Sequence, residues 1–339
     1  MTMTTLRLAV LDQSVSVSGS SEDAAIRDTL ELAQHCEHLG YERFWVSEHH
    51  GLPTIIGSAP EILMAAIAAR TTRIRIGSAG VMLPHYSALK VAEQFRVLEA
   101  LAPGRIDLGV GRAPGSDQRT ARALNPNAHA AADDFPEQVR DLQAWTSLPS
   151  YRGISAHPLG AHAPEVWILG SSNYGAQLAA HFGLPYAYAH FFVDGQGADE
   201  ALSLYRRLYK PSERHPKPQP TVCVWALAAD THEQATHHAL GRERWRVDRA
   251  RGVLGPLQSS DVIAARGFTA DEWPAVEAMR SKAFVGTGGQ VAAQLRALAN
   301  ELQLDEIVIN TWAHEPAVRR HSYALLAGEF GLAANGVLT

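Results

Sequence analysis

The sequence has 339 residues, a length that suits one α/β barrel with an insertion. A net charge of −5 without a dense basic stripe argues against nucleic-acid binding. Cys36 and Cys223 are too few for a disulfide scaffold, so we expect buried thiols in the reducing cytoplasm. The first apolar run, Leu6 to Leu11, is too short for a signal core or a membrane span, and we expect no membrane association.

Eight strand-like runs alternate with helical patterns along the chain. Several runs lack a polar face, as expected of parallel strands that are buried on both sides. The predicted strands are Arg7–Leu11, Arg43–Ser47, Ile74–Ser78, Ile106–Val110, Val166–Leu169, Tyr186–Ala189, Val222–Ala228 and Glu306–Asn310. The predicted helices between them are Ala24–Leu39, Pro60–Ala69, Ala88–Leu101, Phe135–Thr146, Ala176–Phe182 and Gln290–Leu302. This alternation predicts a (β/α)8 TIM barrel that forms a single domain over residues 1–339.

Two stretches do not fit the repeat. Gly115–Ala132, after strand four, is predicted to be a long mobile loop. Asp230–Phe284, between strands seven and eight, is much longer than an ordinary loop and contains helical patterns. We predict a helical insertion over about residues 230–284 that covers the active-site mouth.

Strand two ends in a carboxylate and two adjacent imidazoles: Glu48, His49 and His50. Side chains alternate along a strand, so the two histidines cannot both face one cavity if the strand continues. Barrel enzymes place their chemistry where strands end. The triplet is therefore a candidate site, with a pair of capped structural histidines as the alternative.

Strands three and four end in residues suited to a flat, anionic ligand. Ala79 and Gly80 let a planar group approach the backbone, although a tight barrel exit needs the same small residues. Arg112 is a cation suited to a phosphate, or else a structural arginine. The run Gly109–Gly115 is not a dinucleotide fingerprint, because its third glycine is one position late and Pro114 disturbs the turn.

A polar turn follows strand five and precedes a helix. It contains Ser171, Ser172, Tyr174 and Gly175. Hydroxyls and free N–H groups at a helix N-terminus form an anion site, while simple N-capping by Ser172 or Asn173 uses the same donors.

The sixteen histidines do not form a recognisable metal motif. A metallohydrolase barrel usually has His-x-His after strand one, where this sequence has Asp12-Gln13-Ser14. We therefore predict no catalytic metal.

In this order and at these spacings, the strand ends resemble the bacterial luciferase-like monooxygenase family of flavin-dependent α/β-barrel oxidoreductases. The resemblance spans nearly the whole barrel. The segments that carry it are Gly40-Tyr41, Trp45 to His50, Ala69 to Ile74, Gly77 to Pro84, Gln94 to Arg105, Gly111-Arg112, Gly170-Ser171-Ser172, Gly183-Leu184-Pro185, Val285-Gly286-Thr287 and Asp305 to Val308. The chain is most similar to the branch with Gly-Arg-Ala-Pro-Gly after strand four and Leu-Gly-Ser-Ser after strand five.

The resemblance implies a monooxygenase that acts on paired donors with O₂. Reduced FMN would be a cosubstrate, supplied by a separate flavin reductase. A flavin C4a-hydroperoxide would transfer oxygen to a small organic substrate. The family also implies a homodimer.

The family's site residues map onto particular positions. His49 matches the active-site histidine, for which a pKa near 7 would suit proton transfer. Ala79-Gly80 match a non-prolyl cis peptide under the flavin ring. Arg112 and the Ser171-Ser172 region match the phosphate site.

Two positions depart from the luciferases. Gly111 replaces the cysteine that precedes the arginine, so light emission is not expected. Gly175 replaces a threonine that helps to hold the phosphate, so the serines and the backbone would have to bind it here. Tyr174 and Gly175 are still part of the predicted cofactor site.

Rival functions remain at this point. One is hydride transfer with a deazaflavin in the same fold, and another is a non-catalytic flavin-binding protein. The substrate is not specified, although its pocket could be lined by Met82, His85, His190, Phe191, Phe192 and the tryptophans of the insertion, Trp245 and Trp273.

Overall fold

The structure is a computed structural model that describes residues 6–113 and 116–332. Within them are nine parallel strands. The strands are β1 Arg7–Asp12, β2 Arg43–Val46, β3 Arg75–Met82, β4 Ile106–Gly111, β5 Glu165–Gly170, β6 Tyr186–Tyr188, β7 Pro220–Ala229, β8 Phe284–Thr287 and β9 Glu306–Asn310. Seven consecutive strands, β1 to β7, and then β9 close on one another, because β9 pairs with both β7 and β1. The predicted TIM barrel is confirmed.

Helices surround the barrel. They are α1 Glu22–Leu39, α2 Pro60–Ala68, α3 Ala88–Leu101, α4 Gln118–Leu124, α5 Ala128–Asp133, α6 Phe135–Ser147, α7 Asn173–Phe182, α8 Ala198–Leu208, α9 His232–Ala250, α10 Ser260–Arg266, α11 Trp273–Arg280, α12 Gly288–Leu302 and α13 Pro316–Glu329. Neither α8 nor α13 was predicted from the sequence. Helix α7 begins three residues earlier than predicted, which makes Ser172 its N-cap.

The insertion after β7 is helical, as predicted, and contains α9, α10 and α11. The sequence did not predict the short strand β8 at its end. Strand β7 is ten residues long, and its barrel pairing with β9 ends at Trp225 and Asn310. Its last residues extend past the barrel and pair with β8, beginning at Ala226 and Phe284.

The prediction of a long loop over Gly115–Ala132 is wrong, although Gly115 itself lies outside the described residues. Helices α4 and α5 occupy most of the segment. The Asp117 side chain caps α4 by accepting a hydrogen bond from Thr120 N at 2.8 Å. The alanine-rich composition that we took for a loop instead favours helix.

A network of buried charges closes the barrel end that lies away from the C-terminal strand ends. The Arg43 guanidinium donates to Asp107 at 2.9 Å and to both oxygens of Glu306 at 3.1 Å. Trp45 Nε1 also donates to Asp107, at 2.9 Å. These groups lie near the N-terminal ends of their strands and are buried. A ligand cavity can therefore form only towards the opposite end.

Candidate active site

A cavity of about 350 Å³ lies at the C-terminal ends of the barrel strands, within the usual size range for small-molecule sites. All eight predicted site residues line it: His49, Ala79, Gly80, Arg112, Ser171, Ser172, Tyr174 and Gly175. The structure thus brings together side chains from the ends of β2, β3, β4 and β5. Their roles are taken up below.

The two adjacent histidines make different contacts, although β2 ends at Val46 and alternation along the strand is therefore not the cause. His49 lines the cavity, and its Nδ1 lies 3.1 Å from the Ser47 hydroxyl. Its Nε2 has no hydrogen-bond partner among the described residues. His50 Nε2 lies 2.7 Å from Glu48 Oε1. His49 is therefore the histidine available to a ligand.

Glu48 joins β2 to the end of β3. Its buried carboxylate accepts hydrogen bonds from Met82 N at 3.0 Å, Tyr86 Oη at 2.7 Å and His50. Burial and the Glu48 charge raise the pKa of Tyr86, so its hydroxyl stays protonated as a donor. This carboxylate therefore connects the end of β2, next to His49, with the end of β3.

The His49 imidazole is neutral at pH 7. Burial first, and the charge of Arg249 second, lower its pKa to about 4. The expectation of a pKa near 7 is therefore wrong, because the sequence does not show that His49 is withdrawn from water or that Arg249 lies within electrostatic reach. A neutral imidazole can accept a hydrogen bond or a proton at Nε2.

The end of β3 passes close to its neighbours. The peptide bond between Ala79 and Gly80 is cis, as the resemblance implied. A Cβ atom on Gly80 would lie 2.7 Å from Gly109 O and would also meet Leu169 Cδ1. Only glycine fits here, and the short side chains leave backbone at the cavity wall.

The predicted anion site forms between β4 and α7. The Arg112 guanidinium lies 4.0 Å from the ring centroid of Tyr174, in the first turn of α7. No carboxylate pairs with Arg112 among the described residues. Ser172, the N-cap of α7, makes no capping bond with its side chain, and neither its hydroxyl nor that of Ser171 has a partner within the same described part. A cation, two hydroxyls and a helix N-terminus are the donor set that suits a phosphate dianion.

Several cavity residues were not predicted. Gln13, Trp45 and Cys223 line it, and Gln13 Oε1 accepts hydrogen bonds from Asn310 Nδ2 at 2.6 Å and Trp312 Nε1 at 3.1 Å. Gln13 is a polar residue directly after β1, and this position in the sequence could have predicted that it lines the cavity. The Cys36 and Cys223 thiols are free and buried, as expected.

Three of the residues that were expected to line a substrate pocket line this cavity, and the insertion's Trp245 and Trp273 do not. Met82, Phe191 and Phe192 line the cavity. His85 does not, and instead lines a neighbouring cavity of about 220 Å³ beside α4 and α5. His190 also does not line the main cavity.

Among the described residues, no group of three or more histidine, cysteine, aspartate or glutamate side chains could hold a metal ion. Likewise, none of the described helices has the length and apolarity needed to cross a membrane.

Comparison with known proteins identifies the family. A sequence model described as luciferase-like monooxygenase matches residues 5–305. The chain belongs to the luciferase-like monooxygenase family. A luciferase-like monooxygenase of Escherichia coli K12 is 39% identical to it over 333 residues, 96% of this chain and 97% of the relative. The N-acetyl-S-alkylcysteine monooxygenase of Bacillus subtilis is 35% identical over 332 residues, 95% and 97% of the two chains.

Two solved structures share the fold. The crystal structure of apo-MsnO8 has a TM-score of 0.90 and 35% identity, and the match covers 97% of this chain and 99% of that one. The oxygenating constituent of 3,6-diketocamphane monooxygenase from Pseudomonas putida, in complex with FMN, has a TM-score of 0.71 and 17% identity, with 96% and 98% covered. The latter shows likeness of fold alone.

Proposed function

We propose that this luciferase-like protein is an FMN-dependent monooxygenase that uses reduced FMN and O₂ to oxidise a small organic substrate. The supporting observation is that one cavity contains both the Arg112, Ser171 and Ser172 anion site and the unpartnered Nε2 of His49. The diketocamphane enzyme, which shares the fold, has been solved in complex with FMN.

Each group has a defined task in this proposal. Arg112, the two serines and the first turn of α7 bind the phosphate, and Ala79-Gly80 present backbone to the flavin ring. Reduced FMN supplies two electrons and two protons, so that one atom of O₂ enters the substrate and the other leaves as water. His49 accepts a hydrogen bond or proton at Nε2 beside the reacting group. The apolar walls exclude water.

We also propose a protein partner, an oligomeric state and a cellular location. A separate flavin reductase delivers reduced FMN, the enzyme is a homodimer, and it acts in the cytoplasm.

The test supplies reduced FMN to the protein and measures O₂ consumption and product together. The substrate panel includes an N-acetyl-S-alkylcysteine, because a relative carries that activity in its name. We expect FMN binding and oxygenated product for at least one member of the panel. FMN binding without product on any member would favour the flavin-binding alternative. Reduction of a deazaflavin without O₂ would favour hydride transfer.

A further inference from the structure

Helix α9 of the insertion turns one face towards the barrel mouth. That face carries Arg242, Trp245, Arg246 and Arg249, which are spaced i, i+3, i+4 and i+7. Trp245 Nε1 donates to the Thr54 hydroxyl at 2.8 Å, and this contact joins the face to the loop after β2.

The arginines of α9 differ in their partners. Arg244 is ion-paired, and Arg246 binds both oxygens of Asp194 at 2.7 Å. Arg242 and Arg249, in contrast, have neither a carboxylate partner nor a side-chain hydrogen bond among the described residues. Of the two, Arg249 is exposed and is therefore available to a ligand.

Arg249 is exposed and contacts two aromatic rings at the cavity mouth, although it does not itself line the cavity. Its ζ carbon lies 5.2 Å from the ring centroid of Trp245 and 5.7 Å from that of Phe192, which lines the cavity. Such contacts orient a guanidinium but leave its N–H groups unused. The effect of its charge on His49 places it within electrostatic reach of the proposed reaction site.

Arg242 is a second cation on the same face. It lies 4.2 Å from the ring centroid of Trp225, whose Nε1 is buried without a partner. Trp225 packs with Phe191, which also lines the cavity. Burial, followed by the Arg246 charge, lowers the pKa of Arg242 to about 9, so it stays charged at pH 7. The Asp194 and Glu243 carboxylates act on Arg242 without contacting it and raise its pKa, and a ligand anion nearby would offset more of the cost of its burial.

We propose that Arg249, assisted by the field of Arg242, binds the carboxylate of the substrate, so that the enzyme selects small organic acids. The planar guanidinium fork matches the geometry of a carboxylate. This inference rests on the proposed oxygenase function, since it names the substrate class for the same cavity.

The test measures binding to the FMN-free protein by calorimetry. The probes are phenylacetate, 3-phenylpropanoate and 4-phenylbutanoate, each paired with its primary amide, so that only the charge and one acceptor change. We expect at least one acid to bind roughly 3- to 5-fold more tightly than its amide, the upper part of the range for an ion pair at an exposed site. Arg249→Gln should abolish that preference. Arg266→Gln, an exposed arginine at the end of α10, should preserve it.

The proposal is overturned if acid and amide bind equally, if no acid binds at millimolar concentration, or if Arg249→Gln keeps the preference. FMN titrations of the same three proteins separate this result from the proposed function. Equal binding of acid and amide by the wild-type protein, together with normal FMN binding, refutes only the carboxylate site. Absence of FMN binding with an intact acid preference refutes the cofactor.

Discussion

His50 is tied to Glu48, two residues before it, with 2.7 Å between Nε2 and Oε1. That contact fixes His50 in the strand end and leaves His49 as the histidine that lines the cavity. The two neighbours therefore differ in what their removal should do.

His49→Ala should keep FMN affinity and lower coupled substrate oxidation by about 10²–10⁴-fold, the usual contribution of a positioned proton-transfer group. Reduced FMN would still be oxidised, with H₂O₂ released instead of oxygenated product. His50→Ala should keep the coupling, because Met82 N and Tyr86 still donate to Glu48. Product formed per flavin oxidised, measured in both variants, decides the assignment. Uncoupling by His50→Ala alone would reverse it.

Arg112→Ala should weaken FMN binding by about 1–3 kcal/mol, since it removes a charge-assisted contact to the phosphate. Fluorescence titration of FMN measures the change. Arg207→Ala, which removes an exposed arginine from the last turn of α8, serves as the control for lost positive charge. Equal FMN affinity in the Arg112 variant and wild type would refute the phosphate site.

Gly80→Ala should destabilise the protein by roughly 1–3 kcal/mol, because the new methyl meets Gly109 O and Leu169. Urea unfolding gives the free energy. Gly111→Ala is a matched control at the end of the next strand, where the nearest atom to the added methyl is Met82 Sδ, at 3.7 Å. Similar stabilities for the two variants would contradict the close packing at Gly80.

His49 should make folding stability depend on pH. Its pKa is about 4 in the folded protein and about 6.5 in the unfolded chain, so the unfolded chain binds more protons between these values. The contribution of His49 to the free energy of unfolding is complete above pH 6.5. It decreases as the pH falls towards 4, by at most about 3 kcal/mol.

Urea unfolding at several pH values, in wild type and His49→Gln, tests this dependence. The variant should lose less stability than wild type between pH 6.5 and 4.5. Other histidines, among them His190, also have a lowered pKa and contribute equally to both proteins. Parallel stability curves would show that His49 titrates normally.

Much of the fold and the site followed from the sequence. Buried strands carry no polar face, so their residue pattern predicted the eight strands of the barrel. Parallel strands in a closed barrel end at one rim, and for that reason Arg112, after β4, and Ser172, after β5, could be assigned to one cavity with His49. His49 and His50 do have different surroundings, but β2 ends at Val46, so the strand periodicity from which we expected this is not its cause.

Only the tertiary structure decided the remaining features. Strand β8 forms because β7 extends past its barrel partner, a length that local pattern does not show. The pKa of His49 depends on burial and on Arg249, 200 positions away in the chain. For the same reason, no residue pattern near Arg249 in the sequence indicates that it lies at the cavity mouth. Desolvation and electrostatic reach are properties of packing between distant segments, whereas strands and their ends are properties of neighbouring residues.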